Sequence, residues 1–304
     1  MVDFLPYENC KICNIRGQKV YSKNYSDKEF VNFFSKFYGH SNLNLLLKYL
    51  KNEKFTLLKC SDCSFVWQQS EPDGEFSFKL YEEIIDKKAS LEKSIKLKQK
   101  RKERFKTEFE FIYNYFNVKK LNILDFGAGW GSWLDVVDKN KANLYAFEIS
   151  PSRKKHLINS GFTVLDENSI KDYNNFFHFI RLEQVLEHLT DLEQNIQLIK
   201  KLSLEGGLIN VGVPDGVSEI KNNNSYTIEK GPVQPLEHVN CFNNKSLKKF
   251  FKINGFQNLS VSNLIVNHFK NKPNNIDRIK YLFSDIIKNL FSTSIRFINR
   301  KNNF

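Results

Sequence analysis

The run LNILDFGAGWGS at residues 121–132 most constrains what this chain can fold into. An apolar stretch ends in Asp125, and glycines follow at the alternate positions Gly127, Gly129 and Gly131. Ligands of open α/β sheets bind at the carboxyl ends of the strands, and glycine lets the backbone approach a ligand where a Cβ atom would collide. We therefore expect a strand, a ligand-binding turn and then a helix.

Apolar runs alternate with amphipathic segments through the rest of this region. The predicted strands are LNILDF, LYAFEI, FTVL, FFHFIRL and GGLINVGV, and the predicted helices are SWLDVVDKN, PSRKKHLINSG, about Val185 to Leu204, and Lys245–Asn254. This alternation is typical of βαβ units and of a parallel sheet covered on both faces. Two more β-rich runs, FQNLSVS and LIVNHF, predict an antiparallel hairpin at the sheet edge. The predicted fold is α/β, with a doubly wound, mostly parallel sheet of seven strands.

The glycine spacing distinguishes between two classes of cofactor. The dinucleotide fingerprint needs a glycine or alanine three residues after its second glycine, but that position is Ser132. The segment instead resembles the D-x-G-x-G-x-G loop of class I S-adenosylmethionine-dependent methyltransferases. The resemblance implies that the loop holds the methionine and ribose parts of the cofactor and that Asp125 binds its amino group. It also implies that Glu148, ending the second strand, accepts hydrogen bonds from both ribose hydroxyls, for which a carboxylate has two oxygens.

Later segments resemble the same family in the same order. They are FFHFIRLEQVLEHLTD, LEGGLINVGVPD and PLEHVNCFNNKSLKKFFKINGF. The resemblance implies cofactor contacts at Glu183 and Gln184, which lie at the carboxyl end of the fourth predicted strand. His178 is a departure from the family, which usually has an acidic residue at the start of that strand.

Two histidines are candidates for the proton transfer that methylation of an alcohol or amine requires. A sulfonium methyl group is already activated, so the protein must mainly align donor and acceptor, exclude water and remove that proton. His188 and His238 each follow a glutamate in segments that resemble the edge of the family's active site. His238 is our first candidate for the general base, and His188 is either catalytic or a buried or capping histidine. Glu187 and Glu237 orient these histidines or only solvate loops.

Four of the five cysteines form two C-x-x-C pairs, Cys10 with Cys13 and Cys60 with Cys63. Two such pairs supply the four thiolates of a tetrahedral zinc site, and accidental pairs are the alternative. All four ligand positions would be filled, so the zinc would be structural. A helix predicted over Phe30–Leu50 is inserted between the pairs. Asn14 and Ser64 stand where such sites often have glycine after the second cysteine.

We expect four consecutive regions. They are a cysteine-paired zinc-binding module at residues 1–78, a basic helical connector at 79–118, a methyltransferase domain at 119–270 and an amphipathic C-terminal helix at 271–304. The last helix follows from apolar residues that recur at three- and four-residue spacing from Ile276 to Ile298. It packs on the protein body or a partner subunit, or it lies on an anionic membrane surface.

The acceptor follows from resemblance alone. The arrangement of a cysteine module before this type of domain resembles that of bacterial enzymes that methylate nucleotide-linked sugars. The members that methylate carbon have a further large C-terminal domain, for which a chain ending at Phe304 leaves no room. We therefore expect methylation of a hydroxyl on a nucleotide sugar or glycan precursor, as in polysaccharide biosynthesis.

Two alternatives to sugar methylation stay open. The formal charge of +12, the basic segment Lys96–Lys106 and the cysteine module favour an RNA or DNA methyltransferase. Base methylation is disfavoured, because LEQV stands where an N-P-P-Y-like run would follow the fourth strand and no cysteine is placed as a nucleophile. A zinc-containing binding module without catalysis is the other alternative. We expect a cytoplasmic protein, since no leader or membrane-spanning run is present, and the sequence leaves the oligomeric state open.

Overall fold

The computed structural model describes residues 4–50, 52–216, 228, 233–259 and 294–299. The chain divides into two compact units. Unit 1 holds the chain up to Lys87 with Leu186–Glu193 and Val213–Phe250, and unit 2 holds Lys88–Val185, Gln194–Gly212 and the chain from Phe251. Two segments from the second half of the sequence thus belong with the N-terminal residues.

The described residues form strands and helices in the following order. They are β1 (Phe4–Pro6), β2 (Gln18–Asn24), α1 (Lys28–Tyr38), α2 (His40–Leu50), β3 (Lys54–Lys59), β4 (Val66–Gln68), β5 (Ser70–Pro72), α3 (Gly74–Lys79), α4 (Lys87–Tyr115), β6 (Leu121–Phe126), β7 (Ala142–Phe147), α5 (Pro151–Asn159), β8 (Thr163–Leu165), β9 (Phe177–Glu183), α6 (Leu192–Leu202), β10 (Ser203–Gly212), β11 (Asn240–Cys241), α7 (Asn244–Ile253), β12 (Phe256–Asn258) and β13 (Ser294–Asn299).

Unit 1 contains an antiparallel sheet with the strand order β11-β4-β3-β2, and a separate pair of β1 with β5. Helix α1 buries one aromatic face whose residues recur at helical spacing, Phe30, Phe33, Phe34 and Tyr38. The ring of Phe30 lies 5.6 Å from the ring of Phe55 in β3, so this face forms a core with the sheet. The single helix predicted over Phe30–Leu50 is wrong in one respect: Gly39 has φ 90° and divides it into α1 and α2.

Unit 2 contains a parallel sheet of five described strands in the order β10-β9-β6-β7-β8. The chain reverses its direction of progress across the sheet between β6 and β9, which is where open α/β sheets bind ligands. Most residues of β6, β9 and β10 are buried, as expected for parallel strands covered on both faces. The predicted α/β fold with a central parallel sheet is confirmed, and each of the five predicted strands is present.

The helices of unit 2 begin and end at recognisable signals. Helix α5 starts with Pro151, and the side chain of Ser150 caps it by accepting from the backbone N–H of Arg153. Helix α4 has its only buried residues, Phe105, Phe109, Ile112 and Asn114, in its second half. Its basic first half therefore contributes no buried residue.

Two predicted helices are shorter than expected. SWLDVVDKN forms only a 3-10 turn at Leu134–Val136, since Val137 is already extended. The side chain of Asp138 then accepts from the backbone N–H of Asn140, which favours a turn over further helix. The helix predicted from Val185 begins only at Leu192. The residues before Leu192 form a turn, since Gln184 has a left-handed φ of 57° and Asn240 binds backbone carbonyls that a helix would need.

The predicted C-terminal helix is wrong for its last residues. Ser294–Asn299 forms β13, which pairs antiparallel with β10 and with β12. An alternation of isoleucine, phenylalanine and polar residues suits a strand as well as a helix, and the edge of β10 offers unpaired backbone groups. The other residues of the predicted helix, and the predicted strand LIVNHF, lie outside the described residues.

None of the helices in the described part of the chain combines the length and the apolar character needed to cross a membrane.

His178 gives unit 2 a dependence on pH. Its Nδ1 accepts from the backbone N–H of Asn122 at 3.0 Å, and burial lowers the pKa of His178. Because only the neutral ring can accept, this stabilisation is present above the unfolded-state pKa of about 6.5 and is lost as pH falls through the lower folded-state pKa. We predict that His178→Asn, whose amide oxygen can still accept, reduces the fall in melting temperature between about pH 7 and pH 5. The exposed His40→Asn should keep the wild-type slope, and an unchanged slope in His178→Asn would contradict the prediction.

Candidate functional site

The three loop glycines of unit 2 are needed for different reasons. All have left-handed φ angles, 74° at Gly127, 58° at Gly129 and 74° at Gly131. A Cβ atom on Gly127 would lie 2.7 Å from the side chain of Val185, and one on Gly131 would lie 2.7 Å from Leu157. No atom lies within 4 Å of a Cβ built on Gly129. The outer glycines are therefore required by packing, while the middle one faces space that a ligand can enter.

Glu148 fastens the glycine loop to the end of β7. One carboxylate oxygen accepts from the backbone N–H of Gly129 at 2.9 Å, and the other accepts from the N–H groups of Ile149 and Ser150, both at 2.9 Å. The side chain is only 4% exposed. The predicted residue thus lies directly at the loop, and its role toward a ribose stays a prediction.

Asp125 at the end of β6 is paired with a buried arginine. The Nη1 atom of Arg181 donates to Asp125 Oδ1 at 3.3 Å, and the same guanidinium lies 3.8 Å from Glu183 and 4.0 Å from Glu108. Burial raises the pKa of Asp125 to about 6, and the charge of Arg181 opposes that rise. Sequence reasoning missed Arg181, although a single arginine inside the apolar run FFHFIRL was a signal.

Glu183 and Gln184 lie at the same edge of the sheet as Asp125. Glu183 is the last residue of β9, and Gln184 donates its backbone N–H to Gly212 at 2.7 Å. A Cβ atom on Gly212 would collide with the carboxylate of Glu183. The carboxyl ends of three adjacent parallel strands therefore gather Asp125, Glu148 and Glu183 beside the glycine loop.

One face of α4 contacts the glycine loop, which sequence reasoning also missed. Trp130 donates its indole N–H to Ser90 at 3.0 Å, and Ser132 donates to the carbonyl oxygen of Ser94 at 3.1 Å. One turn further along, Lys98 pairs with Asp135 at 2.8 Å. The spacing of four residues along the helix was the available signal.

In unit 1 the four predicted cysteines form one cluster. Their sulfur atoms lie within 4.8 Å of one another, and Cys10 Sγ is 3.7 Å from Cys63 Sγ. Tetrahedral zinc with Zn–S bonds of about 2.3 Å places its sulfurs roughly 3.8 Å apart, so this donor set fits zinc. A hydrogen bond from Cys63 lowers the pKa of Cys10 and raises that of Cys63, so one of these two thiols loses its proton more readily than the other.

The two cysteine pairs share one backbone geometry. Asn14 donates its backbone N–H to Cys10 at 2.8 Å, and Ser64 donates to Cys60 at 3.1 Å. Asn14 has φ 55° and Ser64 has φ 61°. The left-handed position that glycine often fills is thus present in both pairs, with asparagine and serine in its place.

The predicted histidines of unit 1 also lie together. The ring centroids of His188 and His238 are 4.7 Å apart. His188 Nδ1 is 2.9 Å from the carbonyl oxygen of Glu237, which can only accept, so Nδ1 carries a proton in this contact. The Nε2 atom of His188 lies 3.9 Å from the carboxylate of Glu187, which is 1% exposed. Glu187 therefore does not solvate a loop.

Two tyrosines that sequence reasoning missed contact this cluster. Tyr38 donates its hydroxyl to the carboxylate of Glu237 at 2.8 Å, and the hydroxyl of Tyr81 lies 3.0 Å from His188 Nδ1. Burial raises the pKa of Tyr38 well above its usual value, and the negative charge of Glu237 raises it further. The hydroxyl of Tyr38 therefore keeps its proton and stays a hydrogen-bond donor. No spacing in the sequence connects these residues.

An open parallel sheet with a glycine loop and carboxylates at its strand ends is the arrangement of Rossmann-like folds. Residues 96–261, more than half of the chain, match the model of the family described as methyltransferase domain. The chain belongs to this family and is a methyltransferase.

Solved structures with low sequence identity resemble the chain. The plantazolicin methyltransferases BpumL, in complex with SAH, and BamL, in complex with an analogue and SAH, are each 13% identical with a TM-score of 0.49, over 74% of this chain and 94% and 95% of theirs. A SAM-dependent methyltransferase from Archaeoglobus fulgidus is 14% identical over 75% of this chain and 100% of its own, with a TM-score of 0.38. No curated protein matches the chain significantly.

The open space at Gly129 provides a test of the cofactor loop. We predict that Gly129→Arg abolishes binding of S-adenosylhomocysteine in calorimetric titration, because the side chain fills the space that the ligand needs. Gly161→Arg is the matched control, since Gly161 also has a left-handed φ, 78°, and open space at its Cβ position. Both variants should lose similar amounts of stability in thermal unfolding. Equal ligand binding by the two variants would contradict the site assignment.

Proposed function

We propose that unit 2 binds S-adenosylmethionine at the carboxyl ends of β6, β7 and β9. The observation that carries this proposal is the open position at Gly129 next to the buried carboxylate of Glu148. Asp125 binds the amino group of the methionine part, and Glu148 binds the ribose hydroxyls. Glu183 and Gln184 complete the site from the end of β9.

The two antiparallel strands β12 and β13 support the prediction of seven strands for the whole sheet.

We further propose that the methyl group goes to a hydroxyl of a nucleotide sugar or glycan precursor. S-adenosylmethionine supplies an activated methyl group, so the protein's own groups align the hydroxyl and remove its proton. His238 is the base, and His188 and Glu237 support it from the same cluster. Two tyrosines, the buried Glu187 and the half-buried Glu237 around these histidines offer the hydrogen-bonding groups that a polyol needs.

We infer that Cys10, Cys13, Cys60 and Cys63 hold a structural zinc ion. The sulfur separations support it. With four protein ligands no position is left for water or substrate, so the ion stabilises unit 1 and takes no part in methyl transfer.

RNA methylation is the second candidate, and the basic first half of α4 favours it. In this half of the helix no residue is buried, and lysine and arginine outnumber acidic residues. Such a surface attracts phosphate groups without selecting a sequence. An acceptor test must therefore include RNA.

The charge of Asp125 predicts how cofactor affinity depends on pH. Only the carboxylate form attracts an ammonium group, and the pKa of Asp125 is about 6. We predict that affinity for S-adenosylhomocysteine falls as pH is lowered through this value. Arg181→Met should move the fall to higher pH, because burial then raises the pKa of Asp125 without an opposing charge. Titration calorimetry on protein shown to be folded at each pH measures this, and affinity independent of pH would contradict it.

The acceptor and the base can be tested together with S-adenosylmethionine that carries a labelled methyl group. We predict transfer to a nucleoside diphosphate sugar or an oligosaccharide from a mixed panel, and none to RNA. His238→Ala should lower kcat by about 10²- to 10⁴-fold, with unchanged affinity for S-adenosylhomocysteine, while His40→Ala keeps wild-type activity. Label in RNA alone would replace the sugar proposal with the RNA alternative. Full activity of His238→Ala would reject His238 as the base.

A further inference from the structure

Lys11 lies inside the first C-x-x-C pair, yet its side chain is only 8% exposed. An ammonium group has three N–H donors. Within unit 1 these reach the carboxylate of Glu71, the carbonyl oxygen of Thr190 at 3.1 Å and the side-chain oxygen of Asn240 at 3.2 Å. The ammonium group also lies 4.3 Å from the ring centroid of Tyr7. The lysine is therefore a fully bonded connection between the cysteine pair and two distant segments.

Asn240 continues this network toward the histidines. Its side-chain nitrogen donates to the carbonyl oxygens of Leu186 at 2.9 Å and Leu189 at 2.5 Å, and its backbone N–H donates to Glu187 at 3.0 Å. Three hydrogen bonds from one buried residue thus fix the turn that carries His188. Since Lys11 binds the oxygen of the same amide, it determines which way the amide faces.

Glu71 makes the network depend on the charge of Lys11. Its side chain is fully buried, and its Oε2 atom has no hydrogen-bond partner within the described part of the chain. The ion pair with Lys11 is therefore the main compensation for a carboxylate removed from water, and the loss of one partner alone is strongly destabilising.

We propose that Lys11 is a positioning residue that couples metal loading of the cysteine cluster to the arrangement of His188 and His238. A metal ion at the four cysteines fixes the backbone of the first pair and therefore the position of Lys11. Through its hydrogen bonds, Lys11 then fixes the turn at residues 186–190 and Asn240, which lies two residues after His238. The inference rests on the proposed roles of the cysteines as metal ligands and of the histidines as acceptor-site groups. The cysteine cluster then affects the site that receives the acceptor as well as the stability of unit 1.

The test uses the full chain and the double variant Lys11→Met/Glu71→Gln. It removes both buried charges while nearly keeping the side-chain volumes, so folding does not depend on an unpaired carboxylate. The control is the double variant Lys79→Met/Glu75→Gln, which makes the same two substitutions at an ion pair on the surface of the same unit. Metal content, affinity for S-adenosylhomocysteine and the ring-nitrogen NMR signals of His188 and His238 are measured for each protein.

We expect the double variant to keep its metal and its affinity for S-adenosylhomocysteine, while the signals of both histidines shift and kcat falls about ten- to a hundredfold. Lys79→Met/Glu75→Gln should match the wild type in every measurement. Removing the metal from wild-type protein with a chelator should shift the same histidine signals. Unchanged histidine signals in the metal-loaded double variant would overturn the role of Lys11. A wild-type protein that binds no metal would reject the zinc proposal and the coupling to it, while leaving cofactor binding untouched.

Discussion

The carboxylate of Glu148 binds three backbone N–H groups, and the shape of the glycine loop depends on one of these bonds, the one from Gly129, while the bonds from Ile149 and Ser150 fix the carboxylate itself. A loop with three left-handed glycines has large conformational freedom in the unfolded chain, so a fixed conformation needs strong local partners. A charged acceptor provides them, because its hydrogen bonds are shorter and stronger than neutral ones. The open position at Gly129 exists because this anchor and the close packing at Gly127 and Gly131 fix the backbone on either side of it.

Both units place paired charges in their interiors. In unit 2, Arg181 lies among Asp125, Glu183 and Glu108, and in unit 1, Lys11 lies against Glu71. Buried ion pairs contribute little net stability compared with apolar packing, but removing one partner is costly. Such pairs therefore suit positions where orientation matters more than stability. In unit 2 the pair sets the charge of the residue assigned to the cofactor's amino group, and in unit 1 it holds the turn beside the histidines.

Unit 1 is formed by three separate segments of the chain, which explains why four residues from distant parts of the sequence form one cluster. Leu186–Glu193 and Val213–Phe250 leave the α/β part of the chain and join the N-terminal residues. His188 and His238 come from these two segments, while Tyr38 and Tyr81 come from the N-terminal part. These two segments thus bring both histidines into unit 1, where the two tyrosines also lie.

The sequence by itself determined the five parallel strands, the glycine loop, the position of Glu148 and the two C-x-x-C motifs. These features depend on local patterns, namely apolar periodicity, glycine at fixed spacing and C-x-x-C, which a linear reading can recognise. Only the tertiary structure decided that Arg181 pairs with Asp125, that Lys11 reaches Asn240, and that Ser294–Asn299 is a strand. These outcomes depend on partners far away in the sequence. A buried charge finds its counter-charge, and a segment with either periodicity pairs with an open sheet edge, only after the chain has folded.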